Sequence, residues 1–282
     1  MDKLIISAAF TGAGTLKSMT PFVPQTAEEI SDDVISEAKA GASVVHIHVR
    51  DAEGRGSMDT DRFEEVYEAI QKKLKVNDLD VVINLTTSGI WGTQAPDELR
   101  LAHLKKLKPE MCSFDAGTMN WNCGSIFENS PQFLEKLCAC VSENDIKPEI
   151  EIFDIGMMGN VEHYIKKGLL KTPCYYQFIM GVLGGAAGTA ENLQFLVNKL
   201  PEGSKWSVSG IGKAHIPMMF AGLSMECNGI RVGLEDNLYL SHKVLATNEQ
   251  LVQRAVEIGK LAGRKIASAE DAREILGLRP RL

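Results

Sequence analysis

Three stretches of this sequence carry side chains whose types and spacing suit chemistry. The first reads Val45-His46-Ile47-His48-Val49-Arg50-Asp51. In an extended segment, residues two apart share a face, so both imidazoles point one way while Ile47 and Val49 point the other. Two inward imidazoles supply half of a tetrahedral zinc shell, and two histidines satisfied inside a core would show the same spacing. The second stretch is Arg231-Val232-Gly233-Leu234-Glu235-Asp236-Asn237, where Arg231, Gly233 and Glu235 share one parity. A glutamate near the H-x-H pair would complete a two-histidine, one-carboxylate set with an open position, the pattern of catalytic zinc. The plainer alternative is an Arg231–Glu235 ion pair. The third, Leu85-Thr86-Thr87-Ser88-Gly89, clusters hydroxyls and backbone N–H groups suited to a carboxylate, or forms an ordinary polar loop.

Weaker candidates lie elsewhere. Ser113 and Asp115 stand two apart, and Glu151 and Asp154 close another apolar run. The glycines of Gly181-Val182-Leu183-Gly184-Gly185 would let backbone approach an anionic or extended ligand, and Ser209 to Lys213 suits a phosphate. His103 and His163 fall in helical patterns and are expected at the surface.

The elements that must position these residues follow from periodicity. Apolar or β-branched runs begin near Leu4, Val44, Asp80, Met111, Lys147, Cys174, Ser204 and Gly229, starting 25 to 40 residues apart. Each interval holds a strand, a crossover helix and two short loops. Thr26-Ala27-Glu28-Glu29 is a capping box opening a helix that Gly41 stops, and Phe63, Val66, Ile70 and Leu74 keep a helical period. Thr247-x-x-Gln250 caps the helix after the eighth strand, and Ser268-x-x-Asp271 opens an extra C-terminal one. Eight β–α units without a linker predict an α/β fold, a (β/α)8 TIM barrel forming one catalytic domain over residues 1–282. A doubly wound open sheet is the alternative, but G-x-G-x-x-G does not follow the first strand and G-x-x-x-x-G-K-[ST] is absent.

Composition narrows the classes. With 44% hydrophobic and 24% charged residues, the chain is neither disordered nor a disulfide scaffold. Thirty basic against 37 acidic residues, with no basic run, count against nucleic acid as a partner. The stretch 172–190 is uncharged but interrupted by Gln177 and several glycines, so no membrane span is expected. Leu4-Ile5-Ile6 is too short for a secretory signal, and the six cysteines form no C-x-x-C pair. Reduced thiols and a cytoplasmic location are therefore expected.

Several motifs together resemble the β-keto acid cleavage enzyme family. They are H-I-H-V-R-D, L-T-T-S-G, P-E-M-C-S-F-D-A-G-T-M-N, P-E-I-E-I-F-D-I-G-M, Q-F-I-M-G-V-L-G-G and R-V-G-L-E-D-N, in order along nearly the whole chain. The resemblance implies a zinc-dependent barrel that converts a β-keto acid and acetyl-CoA into acetoacetate and a new acyl-CoA. It implies 3-keto-5-aminohexanoate, an intermediate of lysine fermentation, as substrate, giving 3-aminobutyryl-CoA. Zinc would fall on His46, His48 and Glu235, and the Arg–Asp dyad on Arg231 and Asp236, with Asp236 as general base. Substrate contacts would fall on Thr86, Gly89, Ser113 and Glu151, and acetyl-CoA is assigned to Gly184, Gly185 and Lys213. A homo-oligomer, a tetramer in the family, is also implied. The chain departs from the family pattern at Gly14, where a glutamate that holds the substrate ammonium is expected, and Asp115 is the candidate replacement carboxylate. A metal-dependent aldolase or hydrolase without CoA, and a binding protein with a vacant site, are the competing readings.

Overall fold

The computed structural model describes residues 3–89 and 95–279. Eight parallel strands close into a barrel: β1 (Ile5–Ala9), β2 (Val44–Ile47), β3 (Val82–Leu85), β4 (Met111–Asp115), β5 (Lys147–Ile152), β6 (Tyr175–Met180), β7 (Lys205–Gly210) and β8 (Gly229–Val232). Each pairs with its neighbour in sequence, and β8 closes on β1 with Ser7 beside Arg231. This closure excludes the open sheet. Around the barrel lie α1 (Ala27–Ala40), α2 (Thr60–Asn77), α3 (Asp97–Leu107), α4 (Pro131–Asn144), α5 (Ile155–Lys166), α6 (Ala190–Val197), α7 (His215–Ser224) and α8 (Asn248–Leu261), followed by α9 (Ala269–Leu276). Among the described residues, no helix is long and apolar enough to cross a membrane.

The local signals act as the sequence predicts. Thr26 and Glu29 cap each other at the start of α1, and Gly41 ends that helix with φ 115°, a conformation open to glycine without strain. Thr247 with Gln250 and Ser268 with Asp271 form the same reciprocal caps on α8 and α9. Phe63, Val66, Ile70 and Leu74 all face the core from α2. The helix after the eighth unit has a definite task. Ala272 and Leu276 of α9 pack with Ile5, Val44, Val82, Met111 and Tyr175, the first residues of their strands. Arg273 pins this plug through Asp80 and Glu110. The N-terminal end of the barrel is thereby sealed with apolar side chains, and the polar groups at the C-terminal strand ends meet around the opposite mouth.

Two features depart from expectation. The second strand ends at Ile47, and Val49–Arg50 turns aside to pair with Gly56–Ser57. Further two-stranded ribbons follow β4, with Met119–Trp121 against Ser125–Phe127, and β8, with Tyr239–Ser241 against Val244–Leu245. These lie beyond the strand ends, where no alternation in the sequence marks them. His103 is the second departure: it is buried rather than at the surface. Its ring stacks on Phe63 at 3.9 Å, and Nε2 lies 2.9 Å from the Thr86 carbonyl. Burial pushes its pKa down to about 3, so the ring is neutral and belongs to the packing between α2 and α3. His163 is exposed, as expected.

Candidate active site

The mouth of the barrel gathers residues from β2 and from the end of β8 across β1. β1 lies between those strands, with Ser7 level with Arg231 and Ala9 level with His46. Gly233 takes φ 141° against β1, where a Cβ would fall 2.0 Å from the Ala9 carbonyl oxygen. The Glu235 N–H then donates to that same carbonyl at 3.1 Å. Gly12 completes the close approach, since a Cβ there would meet Glu235 Cγ at 2.8 Å. Two glycines thus let the carboxylate swing over β1 toward the histidines.

The result is a compact donor set. Glu235 Oε1 lies 3.7 Å from His46 Nε2 and 3.3 Å from His48 Nε2, and the rings meet edge-on at 5.0 Å. One donor atom from each residue lies within 4.8 Å of the others. His48 Nε2 and Glu235 Oε2 are buried and make no hydrogen bond. Burial holds His46 well below its ordinary pKa, leaving it neutral. Burial would raise Glu235, but His48, Arg231 and His46 hold it well below the usual carboxylate range. The neutral His46 ring, the ionised Glu235 carboxylate and the unsatisfied buried atoms His48 Nε2 and Glu235 Oε2 fit a divalent metal such as zinc. His46, Glu149 and Glu151 form a second close group deeper in the barrel. There, however, Asn84 engages Glu149 and Arg231 engages Glu151.

Arg231 organises the acids around this centre. Its Nη2 donates to Glu235 at 2.8 Å, its Nε to Asp236 Oδ2 at 3.1 Å, and its Nη1 to Glu151 Oε1 at 3.0 Å. Burial would lower the guanidinium pKa, but Asp236, Glu235, Glu151 and Glu149 hold it well above the ordinary value. Ser209 Oγ donates to Asp236 Oδ2 at 2.7 Å, so this carboxylate is fixed from two sides. Burial raises its pKa against the pull of Arg231.

A cavity of about 380 Å³ opens over these groups, lined by His48, Glu235, Asp236, Arg231 and Glu151, and by Gly14, Ser88, Gly89 and Asp115. Asp115 and Glu151 are level on neighbouring strands. Ser88 Oγ donates to Asp115 Oδ2 at 3.2 Å, while the buried Asp115 Oδ1 has no hydrogen-bond partner. Farther out the wall is apolar, with Trp121, Phe127 and Phe153 in mutual edge-to-face contact at 5.5 to 6.1 Å.

Not every expected contact reaches this cavity. Thr86 and Ser113 are buried behind its wall. Thr86 Oγ1 donates to Ser88, and Ser113 Oγ accepts from the Thr87 N–H at 2.9 Å, so both hold the loop after β3 in place. Asp154 caps α5 through the Gly156 N–H. Gly184 and Gly185 lie beside the cavity, against Asn120 and Phe153, where a Cβ would come 1.7 Å and 2.6 Å from their carbonyl oxygens. That close packing by itself requires glycine. Lys213 is exposed in a short 3-10 turn after β7.

Sequence reasoning missed Arg100, Asn84 and Glu149. Arg100 of α3 lines the cavity, lies 3.5 Å over the Phe133 ring, and donates to the Thr87 carbonyl, the Glu128 carbonyl and Asn129. Burial lowers its pKa to about 10. Nothing in the α3 pattern sets this arginine apart from its exposed neighbours. Glu149 was legible, because it shares the parity of Glu151.

Comparison with known proteins adds to this geometry. Residues 3–278 match the beta-keto acid cleavage enzyme family. The chain is 39% identical over 281 residues to a 3-keto-5-aminohexanoate cleavage enzyme of Fusobacterium nucleatum subsp. nucleatum, covering 99% of both chains. It is 35% identical to a 3-dehydrocarnitine:acetyl-CoA trimethylamine transferase of Rhizobium meliloti, covering 99% of this chain and 98% of that one. In fold it is similar to ObcA, solved as a ternary complex with a C4-CoA adduct and oxalate. That match has a TM-score of 0.82 and 23% identity, covering 93% of this chain and 68% of that chain.

Proposed function

Since the chain belongs to the beta-keto acid cleavage enzyme family, we propose that it converts a β-keto acid and acetyl-CoA into acetoacetate and a new acyl-CoA with the help of zinc. The observation that carries this reading is the meeting of His46, His48 and Glu235, with His48 and Glu235 opening into the cavity that Arg231 and Asp236 also line. His46, His48 and Glu235 would hold the ion. Zinc, when bound, supplies Lewis-acid polarisation of the keto and carboxylate oxygens of the substrate.

The chain's own residues supply the remainder. Asp236 Oδ1 or Oδ2 accepts the proton from C2 of the β-keto acid, and Arg231 and Ser209 aim the carboxylate. The positive charge of Arg231 stays beside the site as negative charge moves onto substrate oxygen, which stabilises that change without reorganisation. Gly89, on the cavity wall, offers its N–H to the substrate carboxylate, with Thr86, Ser88 and Ser113 holding that loop. C2 then bonds to the acetyl carbonyl carbon, the CoA sulfur passes from that carbon to C3, and cleavage of the C2–C3 bond releases the new acyl-CoA while Asp236 returns its proton to C2 of acetoacetate. On this reading Gly184, Gly185 and Lys213, close in sequence to the cavity-lining Val182 and Ile211, are assigned to acetyl-CoA.

We place 3-keto-5-aminohexanoate first among substrates, giving 3-aminobutyryl-CoA as in lysine fermentation. Gly14 offers no carboxylate to an ammonium, but Asp115 and Glu151 do, from the same wall. An unpaired buried ammonium is costly, so such a pairing would select a cationic tail. Both relatives described above are named for a β-keto acid with a nitrogen-bearing tail, which supports the choice. On the same reading the enzyme is a single catalytic domain that works in the cytoplasm as a homo-oligomer.

The test is acetoacetate formation from acetyl-CoA across a panel of β-keto acids, before and after metal removal. Activity that needs acetyl-CoA, disappears with the metal and returns with zinc supports the reading. Cleavage without acetyl-CoA would instead point to a metal-dependent aldolase or hydrolase.

A further inference from the structure

Beneath the candidate metal ligands the barrel interior remains polar. Asn84 of β3 and Glu149 of β5 are fully buried there, and Asn84 is level with His46 on the adjoining strand. Asn84 Nδ2 donates to Glu149 Oε2 at 2.5 Å. A carboxylate only accepts, so the amide must turn its nitrogen toward Glu149. Its oxygen is then left for the His46 ring, with which the Asn84 side chain interacts. Asn84 Oδ1 and His46 Nδ1 are buried and complete no hydrogen bond, and the same holds for Glu149 Oε1 in that layer. Leaving a donor and an acceptor unpaired on level positions of adjoining strands costs the desolvation of each, a cost that a small turn of the ring toward Asn84 Oδ1 removes. The other ring nitrogen, Nε2, faces Glu235.

We infer that Asn84 and Glu149 are positioning residues for the metal centre: His46 Nδ1–H donates to Asn84 Oδ1, and Asn84 Nδ2–H donates to Glu149. This chain fixes the tautomer that leaves the Nε2 lone pair free for a metal. It also pins the ring plane, and the carboxylate at its far end polarises the amide and raises the basicity of the ligating nitrogen. Neither residue lines the cavity, so both act through His46. The inference deepens the zinc reading above and rests on it.

The experiment measures zinc affinity of the full-length apoprotein by competition with a chelating dye, and records the visible spectrum of the cobalt(II)-loaded form. Wild type must bind zinc for the comparison to hold, and failure there overturns the zinc reading itself. Asn84→Leu removes the acceptor and is expected to weaken zinc binding by roughly 10- to 100-fold, the usual scale for outer partners of a metal-bound histidine. Its cobalt spectrum should shift as well. Asn84→Asp combined with Glu149→Gln keeps an acceptor for His46 and reverses the roles at the far end, so affinity should return close to wild type. Should Asn84→Leu not fold, as judged by circular dichroism of the apoprotein, the double variant alone decides. A folded Asn84→Leu with wild-type zinc affinity overturns the inference, and so does a folded double variant that binds zinc as weakly as a His46→Ala control.

Discussion

At the scale of single residues, Arg231 is the group on which the site depends. One guanidinium contacts Glu235, Asp236 and Glu151, each drawn from a different role: proposed metal ligand, proposed base and substrate wall. Separating those roles by substitution is therefore possible. His46→Ala is expected to lose bound zinc and turnover together, because two remaining ligands cannot hold the ion. Metal analysis of that variant at full occupancy would remove His46 from the centre. Asp236→Asn should keep both fold and zinc while kcat falls at least ~100-fold, the scale of a lost general base. A near-normal rate would move the base to Glu151. Asp115→Asn should raise KM for 3-keto-5-aminohexanoate and leave a neutral analogue such as 3-ketohexanoate little changed, as steady-state kinetics on both substrates would show. An equal effect on both rules out Asp115 as the partner of the ammonium. The H-x-H spacing and the nearby carboxylate were visible in the sequence, but β2 ends at Ile47 and Glu235 lies beyond β8, brought over β1 by the turn at Gly233, so parity alone does not fix where the three meet. Arg100 was not visible, because a helical arginine that turns inward to Phe133 looks no different in sequence from one in solvent.

At the scale of elements, the barrel carries its own pH-dependent weakness where α1 meets α8. Glu37 of α1 is fully buried, and neither of its carboxylate oxygens has a hydrogen-bond partner. Asp33 on the same helix is held by Asn248 of α8 at 2.6 Å, and Glu249 of α8 adds further negative charge. Burial holds Glu37 well above the ordinary carboxylate pKa, with Asp33 and Glu249 adding to the shift. Burial likewise raises Asp33 to about 6. A carboxyl raised on folding keeps a proton that the unfolded chain gives up. Its favourable contribution is present below the unfolded pKa of about 4.5 and is lost as pH rises through the folded value. Glu37→Gln should thus raise Tm at pH 9 more than at pH 5, measured by thermal scans of both proteins. A Tm difference that is the same at both values contradicts this account. The elements themselves were plain in the sequence, because caps such as Thr26–Glu29 and the recurring apolar runs are local signals. The ribbon ends were not: past Ile47 the chain turns aside and Arg50 holds the carbonyls of Gly54 and of the distant Thr11 and Thr15, and the two distant bonds have no local signal.

At the scale of the whole molecule, one end of the barrel is plugged by α9 and the other opens into an acid-lined cavity. That asymmetry confines polar chemistry to one mouth. The closed order of eight strands was foreseeable from their count and spacing, and the assignment of each end followed from where the polar residues fall. The central claim is an acyl exchange: the acetyl group of acetyl-CoA is joined to C1 and C2 of the β-keto acid, and the rest of that acid leaves on CoA. The most direct test supplies acetyl-CoA labelled with carbon-13 in both acetyl carbons, together with unlabelled 3-keto-5-aminohexanoate and the zinc-loaded enzyme, and follows the label by NMR. The account predicts that the label appears in C3 and C4 of acetoacetate, with none in the acyl chain of the new thioester and the two products formed in equal amounts. Label remaining in acetyl-CoA while the β-keto acid is consumed, or emerging as free acetate, would contradict it.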